Sequence, residues 1–418
     1  MALALVVVGI GEAHAHIRIN VAALDAEGMR IKVDGVARTK EDGYCLASLQ
    51  ALYSSSPGTV RLDPFVYRQA LNSEIHETAS YLKAARQGRG IYVHLPYILP
   101  PRDCDSAEVV VRSRHILWDG RWIANKVRIS GREAAGKSIF FTEEEDLPVV
   151  QNVYLDPAIP TASRRRLQQS MQKVIAFYRN SLEVDPMRGV GVIVTIVQNK
   201  GGYTGFGGDS LNIVRISFDN PEPQDFENLD RLFAATFAHE LAHKLQNEAL
   251  FSLPLGRFVA EGSADFFKVI VLHNAGITSE VEARVSVRKA FDLCQKFAGV
   301  ESLVTRLRKR DLNYRAPYDC GMIYYFSAYF ESAASGPAFV RFLRMAMTGT
   351  ANYAPNSQSL CLLYESNCLN ERLRDLGSGE LHSIAAQREW FLEQLETRPL
   401  LRLGPWVGNQ LDTMPEFR

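Results

Sequence analysis

The chain lacks an excess of charge of either sign, a cysteine pair at metal-binding spacing and an apolar run long enough to cross a bilayer. Its 418 residues carry 47 Lys+Arg against 47 Asp+Glu. That balance excludes a broad nucleic-acid or anionic-membrane surface, which requires surplus basic residues. The 6 cysteines contain no CxxC, which removes a cysteine-based zinc site. The apolar run Ala2–Gly11 falls short of the roughly 18 residues of an integral span. Internal repeats and low-complexity tracts are also missing, which excludes solenoids and polar tails. What remains, with 46% hydrophobic and 22% charged residues, is globular, and about 100–200 residues per domain gives two or three domains.

The apolar run is followed by Ala13-His14-Ala15, an A-x-A cleavage pattern, so residues 1–15 read as an export signal although no Lys or Arg precedes the run. Export places the protein in the periplasm or outside the cell. The alternatives, a buried N-terminal strand or the first turn of a dinucleotide fold whose third glycine position is His14, leave it in the cytoplasm. Cys45, Cys104, Cys294, Cys320, Cys361 and Cys368 allow up to three disulfides. Cys361 and Cys368 are the first pair to test, with free buried thiols the alternative.

Short β-rich runs between Gly, Pro and Asp punctuation fill residues 16–156 and predict an antiparallel β domain. After Pro157 and Pro160, Leu167, Met171, Val174, Ile175 and Tyr178 recur at helical spacing, and Arg164, Arg165 and Arg166 read as a solvated face. Strands are expected near 190–197 and from Leu211, and helices over 229–249 and 257–275. Residues beyond Ile277 read as mainly helical.

Two motifs carry chemistry, each expected by chance in roughly 1% of chains of this length. Gly131–Ser138 matches the phosphate-loop pattern GxxxxGK[ST]. Such a loop needs a long helix after it, yet SIFFTEEEDLP allows at most two turns before Pro148, and a surface hairpin loop is the better reading. His239-Glu240-Leu241-Ala242-His243 matches HExxH inside a strongly helical stretch. Residues four apart lie about 40° apart around a helix, so both imidazoles project toward one metal. Glu261, 18 positions after His243 on the next helix, supplies a third ligand, and catalytic zinc sites hold three protein ligands and one open position. Asp265, one turn later, is suited to accept the free ring N–H of a ligating histidine.

HELAH, VAEGSADFF and the downstream Tyr318-Asp-Cys-Gly321 together resemble the gluzincin metallopeptidases, in particular the aminopeptidase N-like and glycyl aminopeptidase-like branches. The resemblance spans about 150 residues, from Gly201 to Thr348. It implies an α+β multidomain fold: an N-terminal antiparallel β domain (16–156), a thermolysin-like mixed α/β zinc catalytic domain (157–276) and a C-terminal α-helical domain (277–418). It also implies one Zn²⁺ per chain on His239, His243 and Glu261, a peptide or protein substrate, Glu240 as general base and Tyr318 as oxyanion stabiliser. Family members place a Gly-x-Met-Glu-Asn segment before the zinc helix, its Glu binding the substrate's free amino group. The matching stretch here, Gly207-Gly208-Asp209-Ser210-Leu211-Asn212, has no Glu. Asp209 has a shorter reach, so exopeptidase specificity does not follow. Gly207 and Gly208 would let a peptide backbone approach, and the strand from Leu211 to Phe218 would pair with an extended substrate. The competing reading is a catalytically idle relative that binds peptides in the same cleft.

Overall fold

The computed structural model describes residues 107–134, 136–145, 147, 149–150, 152–197, 205–210, 212–246, 256–297, 306, 315–331, 339–340, 343 and 385–400, and the strand segments 17–23, 29–34, 60–62, 81–82, 85–87 and 90–95. The signal-like run, Cys45, Cys104, Cys361 and Cys368 lie outside the described residues. Contacts divide the chain into two units that are not contiguous in sequence. One comprises Met1–Ala158, Gly189–Phe206 and Leu211–Asn220, and the other Ile159–Arg188, Gly207–Ser210 and Pro221–Arg418.

Fourteen strands are described: β1 (Ile17–Ala23), β2 (Met29–Asp34), β3 (Val60–Leu62), β4 (Tyr81–Leu82), β5 (Ala85–Gln87), β6 (Gly90–His94), β7 (Ala107–Trp118), β8 (Arg121–Ser130), β9 (Ser138–Thr142), β10 (Val149–Val150), β11 (Val153–Leu155), β12 (Gly191–Val197), β13 (Gly205–Ser210) and β14 (Ile213–Asp219). β1–β9 form one sheet and β10–β14 a second, in the order β10-β11-β12-β14-β13. The first sheet is mixed, not antiparallel as expected, because β1 pairs parallel with β7 and β2 with β3. Alternating apolar residues reveal a strand but not the direction of its partner. Tyr92, Leu117 and Phe140 of the first sheet share a core with Tyr154, Ile193 and Ile213 of the second. β7 turns into β8 through Asp119 and Gly120, both at positive φ (50° and 71°), the two-residue turn that Asp-Gly favours.

The phosphate-loop pattern has a structural use. Gly131–Ala134 is a single helical turn in which Ser130 and Glu133 cap each other reciprocally, and strand β9 follows where a phosphate loop needs a helix. The Lys137 ammonium pairs with Asp119 at 2.9 Å and lies 5.3 Å from the centre of the Trp118 ring. The Ser138 hydroxyl accepts a hydrogen bond from Tyr92, while its backbone exchanges two with the Asn212 side chain.

The second unit is built on helices α1 (Thr161–Ser181), α2 (Leu229–Ala242), α3 (Gly256–Asn274), α4 (Glu280–Phe297), α5 (Ala316–Glu331) and α6 (Arg388–Thr397). α1 buries Leu167, Met171, Val174 and Tyr178 at steps of three and four. Arg166 is not simply solvated: it donates to the Phe226 carbonyl at 2.8 Å, just before α2. α5 is buried from Ala316 to Phe330 at every residue except Tyr318. Such all-round burial marks a central helix, and α5 packs against α3 and α4. Its approach to α3 is backbone to backbone. A Cβ on Gly262 would lie 2.4 Å from the Gly321 Cα, and one on Gly321 would lie 2.6 Å from the Phe258 carbonyl oxygen. A disulfide joins Cys294 of α4 to Cys320 of α5.

Gly321→Ala should therefore push α3 and α5 apart and cost about 1–3 kcal/mol, the usual range for overpacking. Urea unfolding reads the change, and an unaltered midpoint would show that the two backbones are not in tight contact.

Candidate metal centre

α2 and the turn that follows it position the first two candidate ligands. Phe233, Ala234, Phe237, Ala238 and Leu241 are buried with His239 and Glu240, so the helix is fixed on several sides. The Tyr178 hydroxyl donates to the Ala238 carbonyl at 2.8 Å, satisfying an acceptor in the last turn beside His239. The α-helix ends at Ala242, earlier than the expected 249, and His243 opens a short 3₁₀ turn to Leu245. The tightened turn keeps both imidazoles together, with ring centroids 4.8 Å apart and Nε2 atoms 3.1 Å apart.

α3 supplies the third ligand. Glu261 Oε2 lies 3.2 Å from His239 Nε2 and 3.5 Å from His243 Nε2. His239, His243 and Glu261 thus form a triad able to hold a metal ion. Their second partners fix the tautomers. Asp265 Oδ1 is 2.7 Å from His239 Nδ1, and Gln246 Oε1 is 2.9 Å from His243 Nδ1. The Gln246 amide is oriented by its own donor, which reaches the Ala260 carbonyl at 2.7 Å and the Ser263 hydroxyl at 2.9 Å. Both histidines therefore donate through Nδ1 and turn an Nε2 lone pair toward Glu261 Oε2, a buried oxygen with no hydrogen-bond donor of its own. Three acceptors facing one another are a poor arrangement unless a cation sits among them. A tetrahedral ion with bonds of about 2.0–2.1 Å places its ligand atoms about 3.3–3.4 Å apart, and separations of 3.1, 3.2 and 3.5 Å fit it.

The electrostatics of the metal-free site are consistent with this. Burial disfavours the charged form of His239, but the nearby carboxylates of Asp265, Glu261 and Glu240 outweigh it and push the imidazole up to about 9. Burial likewise raises Glu261, yet the two histidines bring it down to about 2. Asp265 is buried too, and the Lys268 ammonium at 2.6 Å and His239 hold it well below the usual carboxylate range. A proton is thus drawn to the place a metal would take.

Tyr318, at the start of α5, stacks on His239 with ring centroids 5.6 Å apart. Tyr324, Tyr325 and Tyr329 are core residues, and Tyr318 alone of the four turns to the triad. Burial and the Glu261 charge push its hydroxyl up to about 12, opposed by a hydrogen bond and charge from Arg257. The Arg315 guanidinium lies over the Tyr318 ring, 4.9 Å from its centre, and reaches Asp319 at 3.1 Å and Asp265 at 3.8 Å. Gln246, Arg257, Lys268 and Arg315 were not singled out in the sequence. Gln246, three positions after His243, and Lys268, three positions after Asp265, stood at a spacing that suggests contact. Gly207, Gly208 and Asp209 lie on β13, whose side chains are not described. β14 lies between β12 and β13, so the expected pairing of its residues with a substrate is overturned, and the edge strand on that side of the sheet is β13.

No protein-family model matches the chain, and no curated protein matches it. Among solved structures, the chain is similar to an aminopeptidase N family protein from Idiomarina loihiensis, with a TM-score of 0.45 and 12% sequence identity over 59% of this chain and 50% of that one. The chain thus spans half the length of that neighbour, and the reading of the site rests on its own geometry.

Two outcomes are expected. Asp265→Ala and Gln246→Ala should each weaken metal binding by about 10–100-fold in chelator competition, since each removes the acceptor that orients a ligand. In the metal-free protein, Glu261 contributes stability that is complete above pH 4.5 and lost as pH falls toward 2. His239 contributes stability that is complete below pH 6.5 and lost as pH rises through about 9. Thermal midpoints of metal-free protein should therefore peak between these limits, and the peak should flatten in a His239→Ala, Glu261→Ala double variant.

Proposed function

We propose that the protein is a zinc-dependent peptidase that hydrolyses peptide bonds. The observation that carries this reading is the convergence of His239 Nε2, His243 Nε2 and Glu261 Oε2, with Glu240 in the same helical turn and Tyr318 stacked on His239. A zinc ion held by these ligands supplies a Lewis acid and lowers the pKa of water from about 15.7 toward about 7.

The chain's own residues do the rest. Asp265 and Gln246 hold the imidazoles so that both Nε2 lone pairs stay directed at the ion. Glu240, next to a ligand but not one itself, takes a proton from the attacking water on a carboxylate oxygen and delivers it to the leaving amine nitrogen. Tyr318 donates its hydroxyl hydrogen to the oxyanion of the tetrahedral intermediate. A pKa of about 12 keeps that hydrogen in place at neutral pH, as a donor requires. The Cys294–Cys320 disulfide supports an oxidising compartment, the periplasm or the cell exterior. No described helix is long and apolar enough to cross a membrane.

Glu240→Gln should retain zinc, measured by metal analysis, while peptide hydrolysis is lost. Unchanged hydrolysis would remove Glu240 from the scheme, and a wild-type protein that binds peptides without cleaving them would favour a binding role. Tyr318→Phe should lower kcat by about 10²–10³ with little change in unfolding midpoint.

A further inference from the structure

Tyr318 has a task that the core does not secure. From Ala316 to Phe330 it is the one residue of α5 that is not buried, and the last side-chain bond of a tyrosine is only weakly restrained by its own rotamer wells. A hydroxyl that has to meet a developing oxyanion must be in place before the reaction. The neighbours of the ring therefore have to hold it.

Arg315 reaches Tyr318 through its backbone and through its side chain. It directly precedes α5, and its carbonyl accepts hydrogen bonds from the backbone N–H groups of Tyr318 at 3.0 Å and Asp319 at 3.1 Å. Pro317 lies between, and its fixed φ stiffens the turn that carries Tyr318. The side chain returns over the same turn. Its guanidinium carbon stands 4.9 Å from the centre of the Tyr318 ring, and one N–H donates to Asp319 Oδ1 at 3.1 Å. Asp319 is buried, so this anchor is a fixed one. A planar fork can grip a carboxylate by an edge while its face lies over an aromatic ring, a combination that an ammonium does not offer. His239 stacks on the same ring with centroids 5.6 Å apart and is itself held by Asp265.

Asp265 is also within reach of Arg315, at 3.8 Å, but Lys268 holds it more closely, at 2.6 Å. The stronger commitments of Arg315 are to Asp319 and to the ring. We infer that Arg315 is a positioning residue of the hydrolytic reaction: anchored by Asp319, its guanidinium fixes the Tyr318 ring so that the hydroxyl is directed at the oxyanion. This rests on the peptidase reading. A bond to the oxyanion exists in the transition state and not in the bound substrate, so loss of its alignment lowers kcat and spares KM.

The test is a double-mutant cycle on the zinc-loaded full chain with one peptide substrate. Arg315→Gln should lower kcat by about 10–100-fold, the scale of a reacting group displaced by about 1 Å, and change KM by less than about threefold. In a Tyr318→Phe background, where there is no hydroxyl left to direct, the same substitution should cost less than about twofold in kcat. Zinc affinity in chelator competition should stay within about threefold of wild type, because Lys268 still holds Asp265. An equal loss of kcat in both backgrounds, or a larger loss of zinc affinity, would place the effect of Arg315 on the metal ligands and overturn the proposal. Ring fixation is read without catalysis from the fluorine NMR signal of 3-fluorotyrosine incorporated at position 318. That signal should shift or broaden on Arg315→Gln, and an unchanged signal overturns the proposal too. If Arg315→Gln does not fold, Asp319→Asn, which takes the charge from the anchor, should move both kcat and the fluorine signal in the same direction by a smaller amount; no effect on either overturns the proposal. If the wild type cleaves no peptide, the peptidase reading fails, while the fluorine signal still decides whether Arg315 fixes the ring.

Discussion

The candidate metal centre depends on the backbone contact between Gly262 and Gly321. Glu261 precedes the first glycine, and Tyr318 lies one helical turn before the second. A side chain at either glycine would hold α3 and α5 apart, and the carboxylate and the phenol would no longer meet at His239. Phe258, Phe266, Tyr324, Tyr325 and Phe326 pack around this approach, with Phe266 and Phe326 ring centroids 4.8 Å apart. The Cys294–Cys320 disulfide ties α5 to α4 immediately beside Gly321 and restricts the chain on the remaining side.

Upon this rigid pair the site adds an electrostatic chain. Lys268 and Arg315 hold Asp265, Asp265 holds His239, and Arg315 lies over the ring of Tyr318. His243 has a different support, the neutral Gln246, whose amide is in turn fixed by Ala260 and Ser263. One ligand is thus oriented by a buried anion and the other by a dipole. A metal bound there gains charge from Asp265 without a second buried carboxylate on the His243 side, which would need a further cation.

The β-rich unit uses its rare motif differently. Gly131–Ser138 has every residue of a phosphate loop, yet Lys137 is held by Asp119, Ser138 by Tyr92 and Asn212, and Glu133 by Ser130. Residue pattern and residue context come apart here because a phosphate site requires a helix whose backbone N–H groups remain unpaired, and a strand has none to offer in that arrangement.

Much of the site was legible in the sequence because its ligands are coupled by helical periodicity. The four-residue step from His239 to His243 and from Glu261 to Asp265 needs only the pitch of a helix to put each pair on one face. The helices α2 and α3 that carry them follow from apolar spacing in the same way, as do the strands β12 and β14 of the other unit. Tertiary structure alone decided which faces meet. The reach of Arg315 to Asp265, the pairing of Cys294 with Cys320, the parallel strands of the first sheet and the position of β14 inside the second depend on contacts between segments whose separation in the chain bears no relation to any local period, whereas Gln246 and Lys268 stand three positions from His243 and Asp265. Periodicity constrains a residue relative to its own helix or strand. Contact between helices is set by the packing of whole surfaces, and here by two glycines 59 positions apart whose lack of side chains is what lets α3 and α5 touch.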